Sequence, residues 1–123
     1  MNAFEQKLGL GQQDDRVIHR FEIPASIPGD VRSLGLVEIT AQEELHAEQR
    51  CKGSPDKRAA EMAKSALVEV NGQKVQFADG SVDRAWNNLH PKVRTLIASA
   101  WVKLHLANDD EVDSFFASRT SSV

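Results

Sequence analysis

The side chains able to do chemistry are few and scattered. Glu43, His46 and Cys51 fall on one predicted helix, and a carboxylate, an imidazole and a thiol are all metal ligands. One histidine and one cysteine do not complete a closed ligand set, so no metal is assigned to them. Cys51 is the single cysteine of the chain, which excludes an internal disulfide and a cysteine-based zinc site. No histidine stands at a recognised spacing to activate it as a nucleophile. His19 lies on the apolar side of a predicted strand with no partner at ligand spacing, and is read as a satisfied, partly buried imidazole. His90 directly precedes Pro91 and is read as a joint between two helices, because the residue before a proline avoids helical geometry.

The phosphate-binding and hydrolytic motifs are missing. Gly9-Leu10-Gly11 is a fragment of a dinucleotide fingerprint, without its third glycine or its preceding strand. Neither a Gly-x-x-x-x-Gly-Lys-Ser/Thr loop nor a His-Glu-x-x-His occurs. Asp14-Asp15 and Asp109-Asp110 are adjacent pairs at segment starts, not carboxylates aimed at one point. No catalytic residue and no cofactor is expected, and the chain is read as non-enzymatic.

The elements that must position these residues follow from pattern. The chain has 123 residues, 41% of them hydrophobic, enough for one modest core and one domain. No run approaches the ~18 apolar residues of a membrane span. Residues 1–7 lack a basic start and apolar stretch, so a secretory signal is not expected and a reduced, cytosolic compartment is. The formal net charge is −3, from 15 Lys plus Arg against 18 Asp plus Glu, which argues against holding nucleic acid. Charge is segregated. Arg84, Lys92, Arg94 and Lys103 span 84–106 without an acid, and Asp109, Asp110, Glu111 and Asp113 follow without a base. Helix dipoles and mutual attraction account for that arrangement, with a partner-binding basic face as the alternative.

Residues 1–15 are polar and read as a flexible arm, 16–118 as the domain and 119–123 as a polar tail. Arg16 to Ile23 alternates, with Val17, His19, Phe21 and Ile23 on the side expected to be buried. A second strand is predicted within Val31–Ile39, pairing with the first; Gly35 marks a weak point or a bulge. Thr40 and Glu43 form a capping box for a helix to about Cys51, whose thin apolar face is Ala41, Leu45 and Cys51. Ser54-Pro55 opens another helix, which ends near Leu67 or Val68. Asn71-Gly72 between β-favouring flanks predicts a hairpin. Ser81 or Asp79 caps a short helix. Pro91 opens a long one with the apolar stripe Val93, Leu96, Ile97, Ala100, Trp101 and Leu104. Asn108 opens a last helix carrying Val112, Phe115 and Phe116. The expected fold is α+β and mostly helical: short N-terminal antiparallel strands, then a compact bundle of four to five helices.

The order of segments carries a resemblance. "SLGLVEIT", the acidic "AQEELHAEQR", the alanine-rich "RAAEMAKSALVEV", the Asn-Gly turn, "DGSVDRAWNNLHPKVRTLIASAWVKLH" and the terminal "FFASRTSSV" together resemble the tail assembly chaperones of tailed bacteriophages, over most of the chain from about Val31. That family is largely helical, whereas residues 16–39 here read as strands. The resemblance implies a non-enzymatic protein of the host cell cytoplasm that binds and solubilises the tape-measure protein and helps recruit tail-tube subunits. It implies no membrane or nucleic-acid partner, and a homo-oligomer is compatible with it. Many members are made in two lengths by a frameshift near the end of the shorter product, and the polar end after Phe116 suits such a junction. An accessory structural component of the tail or baseplate is the alternative. Binding a long amphipathic helix needs an apolar groove with charged margins. The residues assigned to partner binding are Arg94, Ile97, Trp101, Lys103, Phe115 and Phe116, in a groove that also takes in Val93, Leu96 and Ala100, with Arg94 and Lys103 at its rim.

Overall fold

The computed structural model describes residues 15–119. The predicted arm, apart from Asp15, and the tail beyond Arg119 lie outside them. The chain is α+β and mostly helical. Its elements run β1 (His19–Glu22), β2 (Ser33–Leu36), α1 (Ala41–Cys51), α2 (Pro55–Ala66), β3 (Leu67–Val70), β4 (Gln73–Lys74), α3 (Ser81–Asn87), α4 (Pro91–His105) and α5 (Asp109–Ala117).

The strands form one antiparallel sheet in the order β1-β2-β3-β4. Pairing of β1 with β2 matches expectation. The sheet is larger than expected, because the hairpin β3-β4 returns after two helices and zips onto β2. Asn71 and Gly72 make the hairpin turn with φ of 53° and 78°, the left-handed pair that a tight hairpin requires. Asn71 also fastens this turn to distant chain. Its Oδ1 accepts from Arg32 N at 2.7 Å and Ser33 N at 3.2 Å, and its Nδ2 donates to the Asp30 carbonyl at 3.0 Å.

Gly35 does mark an irregularity, since the β2–β3 register shifts between Gly35 and Leu36. A Cβ on Gly35 would lie 2.9 Å from both Glu69 Cβ and Ile18 Cγ2. Only a glycine lets the neighbouring side chains close over this point.

One face of the sheet carries the core. Leu34, Leu36 and Leu67 pack with Ala63 and Ala66 of α2, Val82 and Trp86 of α3, Leu89, and Val93 and Ile97 of α4. Leu36, Val82, Val93 and Ile97 are fully buried, each contributing about 1.5–3 kcal/mol by leaving water. The burial expected along β1 is largely absent. Ile23 is buried, but Val17 is 70% and Phe21 38% exposed. As the outermost strand, β1 is covered only in part: His19 is half-buried at one end, as expected, and Ile23 is buried just past the other.

Helix ends follow local chemistry closely. Thr40 and Glu43 form both bonds of their capping box, as do Asn108 and Glu111. His90 is the joint between α3 and α4: its Nδ1 accepts from Lys92 N at 3.1 Å, and Pro91 occupies the first turn. The cap of α3 differs from expectation. Gly80 holds that position at φ 76°, while Asp79 Oδ1 accepts from Ser81 N at 2.9 Å. The inner face of α1 also differs. Ala47 and Cys51 are buried, whereas Ala41 and Leu45 are exposed. The cause is a charged seam with α2 that sets the rotation of α1: Arg50 with Glu61 at 2.7 Å, and Arg58 with Glu48.

Candidate functional site

The side chains first considered for chemistry are engaged in structure. Glu43 caps α1 and is paired with Arg16. His46 is exposed and contacts Gln42. Cys51 is buried, with its Sγ donating to the Glu48 carbonyl at 3.2 Å. These groups do not converge on a common point. Among the described residues there is no cluster of three or more His, Cys, Asp or Glu placed to hold a metal ion, and no helix is long and apolar enough to cross a membrane. A hollow of about 540 Å³ lies on the open side of the sheet, with Ile18, Val37, Val75 and Phe77 in its wall and the Arg16–Glu43 pair at its margin.

The residues assigned to a partner-binding groove divide into two groups. Ile97 is fully buried at the centre of the core, so it presents nothing to a partner; burial on α4 leaves only the outer stripe available. Arg94 is committed to the fold. Its guanidinium donates to the Trp86 carbonyl from Nε at 3.0 Å and Nη2 at 2.7 Å, and lies 5.6 Å from the centroid of the Trp86 ring. It thereby adds to the backbone bond that Leu89 N already makes to this carbonyl at the end of α3.

Trp101 is half-buried and works with His105. The two rings stack at 4.7 Å with an interplanar angle of 28°. His105 Nδ1 lies 2.7 Å from the Trp101 carbonyl, and its Nε2 accepts from Ile39 N at 2.8 Å. A carbonyl can only accept, so Nδ1 is the nitrogen that donates and Nε2 the one that accepts. His105 thus pins the end of α4 to the segment between β2 and α1. Trp101 Nε1 is buried and has no hydrogen-bond partner among the described residues. Val93 belongs to the core, and Ala100 packs against it from the side.

The second group is open to solvent. Lys103 is exposed, as are Val102 and Leu106 at 51% and 69%. Beyond them α5 buries none of its residues. Phe115 is 71% and Phe116 58% exposed, with their rings edge to face at 5.4 Å, and Val112 lies one turn earlier at 38%. Val112, Phe115 and Phe116 have the i, i+3, i+4 spacing of helix anchors that enter a groove. Asp109, Asp110 and Glu111 fill the first turn of α5. So the expected six residues do not form one groove. They separate into a structural set of Arg94, Ile97 and Trp101 on α4 and an exposed set, Lys103 near the end of α4 and the apolar pair Phe115 and Phe116 on α5.

Sequence reasoning missed two charged arrangements that this fold depends on. Arg20 on β1 binds Glu69 on β3 through two contacts of 3.1 Å, and this pairing holds the Glu69 carboxyl below its ordinary range. Arg50, Glu61, Lys64 and Asp83 link α1, α2 and α3, with Lys64 Nζ 2.9 Å from Glu61 and 3.0 Å from Asp83. Burial works against the charge of Lys64, but hydrogen bonds to Glu61 and Asp83 hold its pKa above the ordinary value. Apart from Glu61 and Lys64, three residues apart on α2, the partners are remote in sequence, so local spacing does not signal how either group is joined.

Comparison with protein-family models, curated proteins and solved structures returns no match to this chain.

Proposed function

We propose that the protein is a non-enzymatic assembly chaperone that holds a helical partner through the apolar edge of α5. The observation that supports this reading is the state of α5 itself. It is a nine-residue helix with no buried residue, and isolated helices shorter than about 12–15 residues are marginal in water. Its Phe115–Phe116 pair faces solvent. A capped helix presenting aromatic anchors is built to be covered by a partner.

The resemblance of the chain to phage tail assembly chaperones supplies the occupant: the long amphipathic tape-measure protein, with recruitment of tail-tube subunits as the further step. The acids in the first turn of α5 suit a partner whose apolar stripe has basic flanks. The test is co-expression with the long coiled-coil protein encoded nearest downstream, followed by affinity capture. Co-purification that depends on Phe115 and Phe116 supports the reading. Mass spectrometry of purified virions separates it from an accessory structural role, because a chaperone is absent from the finished particle and a structural component is retained.

A further inference from the structure

The outer edge of β1 is open. Among the described residues no strand lies beyond it. Which backbone groups face outward follows from one hydrogen bond. Ile23 N donates to the Arg32 carbonyl at 2.8 Å, and these two residues stand opposite each other in continuation of the β1–β2 register. Antiparallel partners alternate between bonded and non-bonded pairs. Phe21 and His19 therefore also turn their N–H and C=O groups toward β2, while Arg20 and Glu22 turn theirs away from the sheet. Such an edge is a template for another strand.

The charges on this edge select the strand that fits. Antiparallel addition of an identical strand must place outward-facing residues opposite one another. Centred on Arg20, the register sets Arg20 against its own copy. Centred on Glu22, it sets carboxylate against carboxylate and brings Pro24, which has no N–H, opposite Arg20. Centred on Phe21, it sets Arg20 opposite Glu22 of the second copy, and Glu22 opposite Arg20, each pair exchanging two backbone hydrogen bonds. The side chains are available for this. No ion pair engages Glu22 among the described residues. Arg20 uses Nε and Nη2 on Glu69, which leaves Nη1.

The other face of the strand agrees. Phe21 meets its own copy at a non-hydrogen-bonded position, where side chains approach most closely. It is exposed, as is Leu96 of α4, and together with Ile23, Pro24 and Ala100 they line an apolar hollow of about 180 Å³. We propose that β1 pairs antiparallel with β1 of a second copy of this chain, centred on Phe21, joining two four-stranded sheets into one across a two-fold axis. An isologous contact of this kind closes on itself and leaves no free edge at β1. It is independent of α5 and of the partner that α5 binds.

The test is sedimentation equilibrium of the full chain at sub-millimolar concentration, with Glu22→Arg as the disrupting variant and Phe21→Cys as the register probe. Wild type sediments at twice the 13.6 kDa chain mass. Glu22→Arg, which faces Arg20 of the second copy, sediments as the monomer with an unchanged circular dichroism spectrum. On oxidation Phe21→Cys forms a disulfide-linked dimer, since its Cα–Cα separation of about 4.5 Å lies within disulfide range. Glu22→Cys, whose counterpart is Arg20, does not. A monomeric wild type overturns the proposal. So does a dimer that survives in Glu22→Arg, or cross-linking of Glu22→Cys as efficient as that of Phe21→Cys.

Discussion

Arg20 on β1 reaches Glu69 on β3 across an intervening strand, with Nε and Nη2 each 3.1 Å from a carboxylate oxygen. Gly35 of β2 stands opposite both residues in the register. The ion pair closes over the one position in the sheet that lacks a side chain, and the glycine is the condition for that contact.

Gly35→Ala is therefore predicted to destabilise the fold. Its Cβ would meet Glu69 Cβ and Ile18 Cγ2 at 2.9 Å, and relief requires movement of β1 or β3. Overpacking of this kind costs about 1–3 kcal/mol. Denaturant unfolding measures the loss. An unchanged midpoint would show that the sheet yields at this point without cost.

Asn71→Ala is predicted to cost about 2–3 kcal/mol, from the loss of the hydrogen bonds to Asp30, Arg32 and Ser33 and of a residue tolerant of φ 53°. Asn71→Gly separates the two effects, because it keeps the backbone conformation and loses only the side-chain bonds. Thermal unfolding should rank wild type above Asn71→Gly, and Asn71→Gly above Asn71→Ala.

Acid should unfold the protein partly through Glu61. Burial raises the pKa of this carboxyl, but hydrogen bonds from Arg50 and Lys64 outweigh it and hold the group below its ordinary range. The folded chain then binds fewer protons here than the unfolded chain. The stabilisation is complete above the ordinary carboxyl pKa of about 4.3 and is lost as the pH falls through the lower folded value. Urea midpoints followed from neutral to acid pH should fall less steeply for Glu61→Gln, from a lower starting stability.

Trp101→Ala is predicted to destabilise by about 2–3 kcal/mol, less than a fully buried tryptophan because the ring is half-exposed. It removes the stack on His105 and loosens the end of α4 from Ile39. Hydrogen exchange should show the Ile39 amide losing protection before the amides of Leu34 and Leu36.

These results also show which features were legible in the sequence. Thr40-x-x-Glu43, Ser54-Pro55, Asn71-Gly72, Pro91 and Asn108 each announce their element because the chemistry of a cap or turn lies within a few residues. The sheet was legible as two separate hairpins but not as one sheet, since addition of β3 to β2 depends on a long-range contact fixed by Leu34, Val70 and the Asn71 side chain. The apolar stripe of α4 was visible, but its division was not. Val93 and Ile97 face the core while Leu96 and Val102 meet solvent, and only the position of the sheet decides that. Phe115 and Phe116 were identified as candidates by type and spacing. Arg94 looked like a rim charge because nothing local shows that the Trp86 carbonyl is within its reach.

The central claim is that α5 is the binding element and contributes little to the fold. Phe115→Ala combined with Phe116→Ala should leave thermal stability within about 0.5 kcal/mol of wild type, as expected for exposed positions. The decisive measurement is capture of the co-expressed tape-measure protein by wild type and by this double variant. The account predicts a soluble, captured partner with wild type and its loss with the double variant. Equal capture by both, or no capture by wild type, would contradict it.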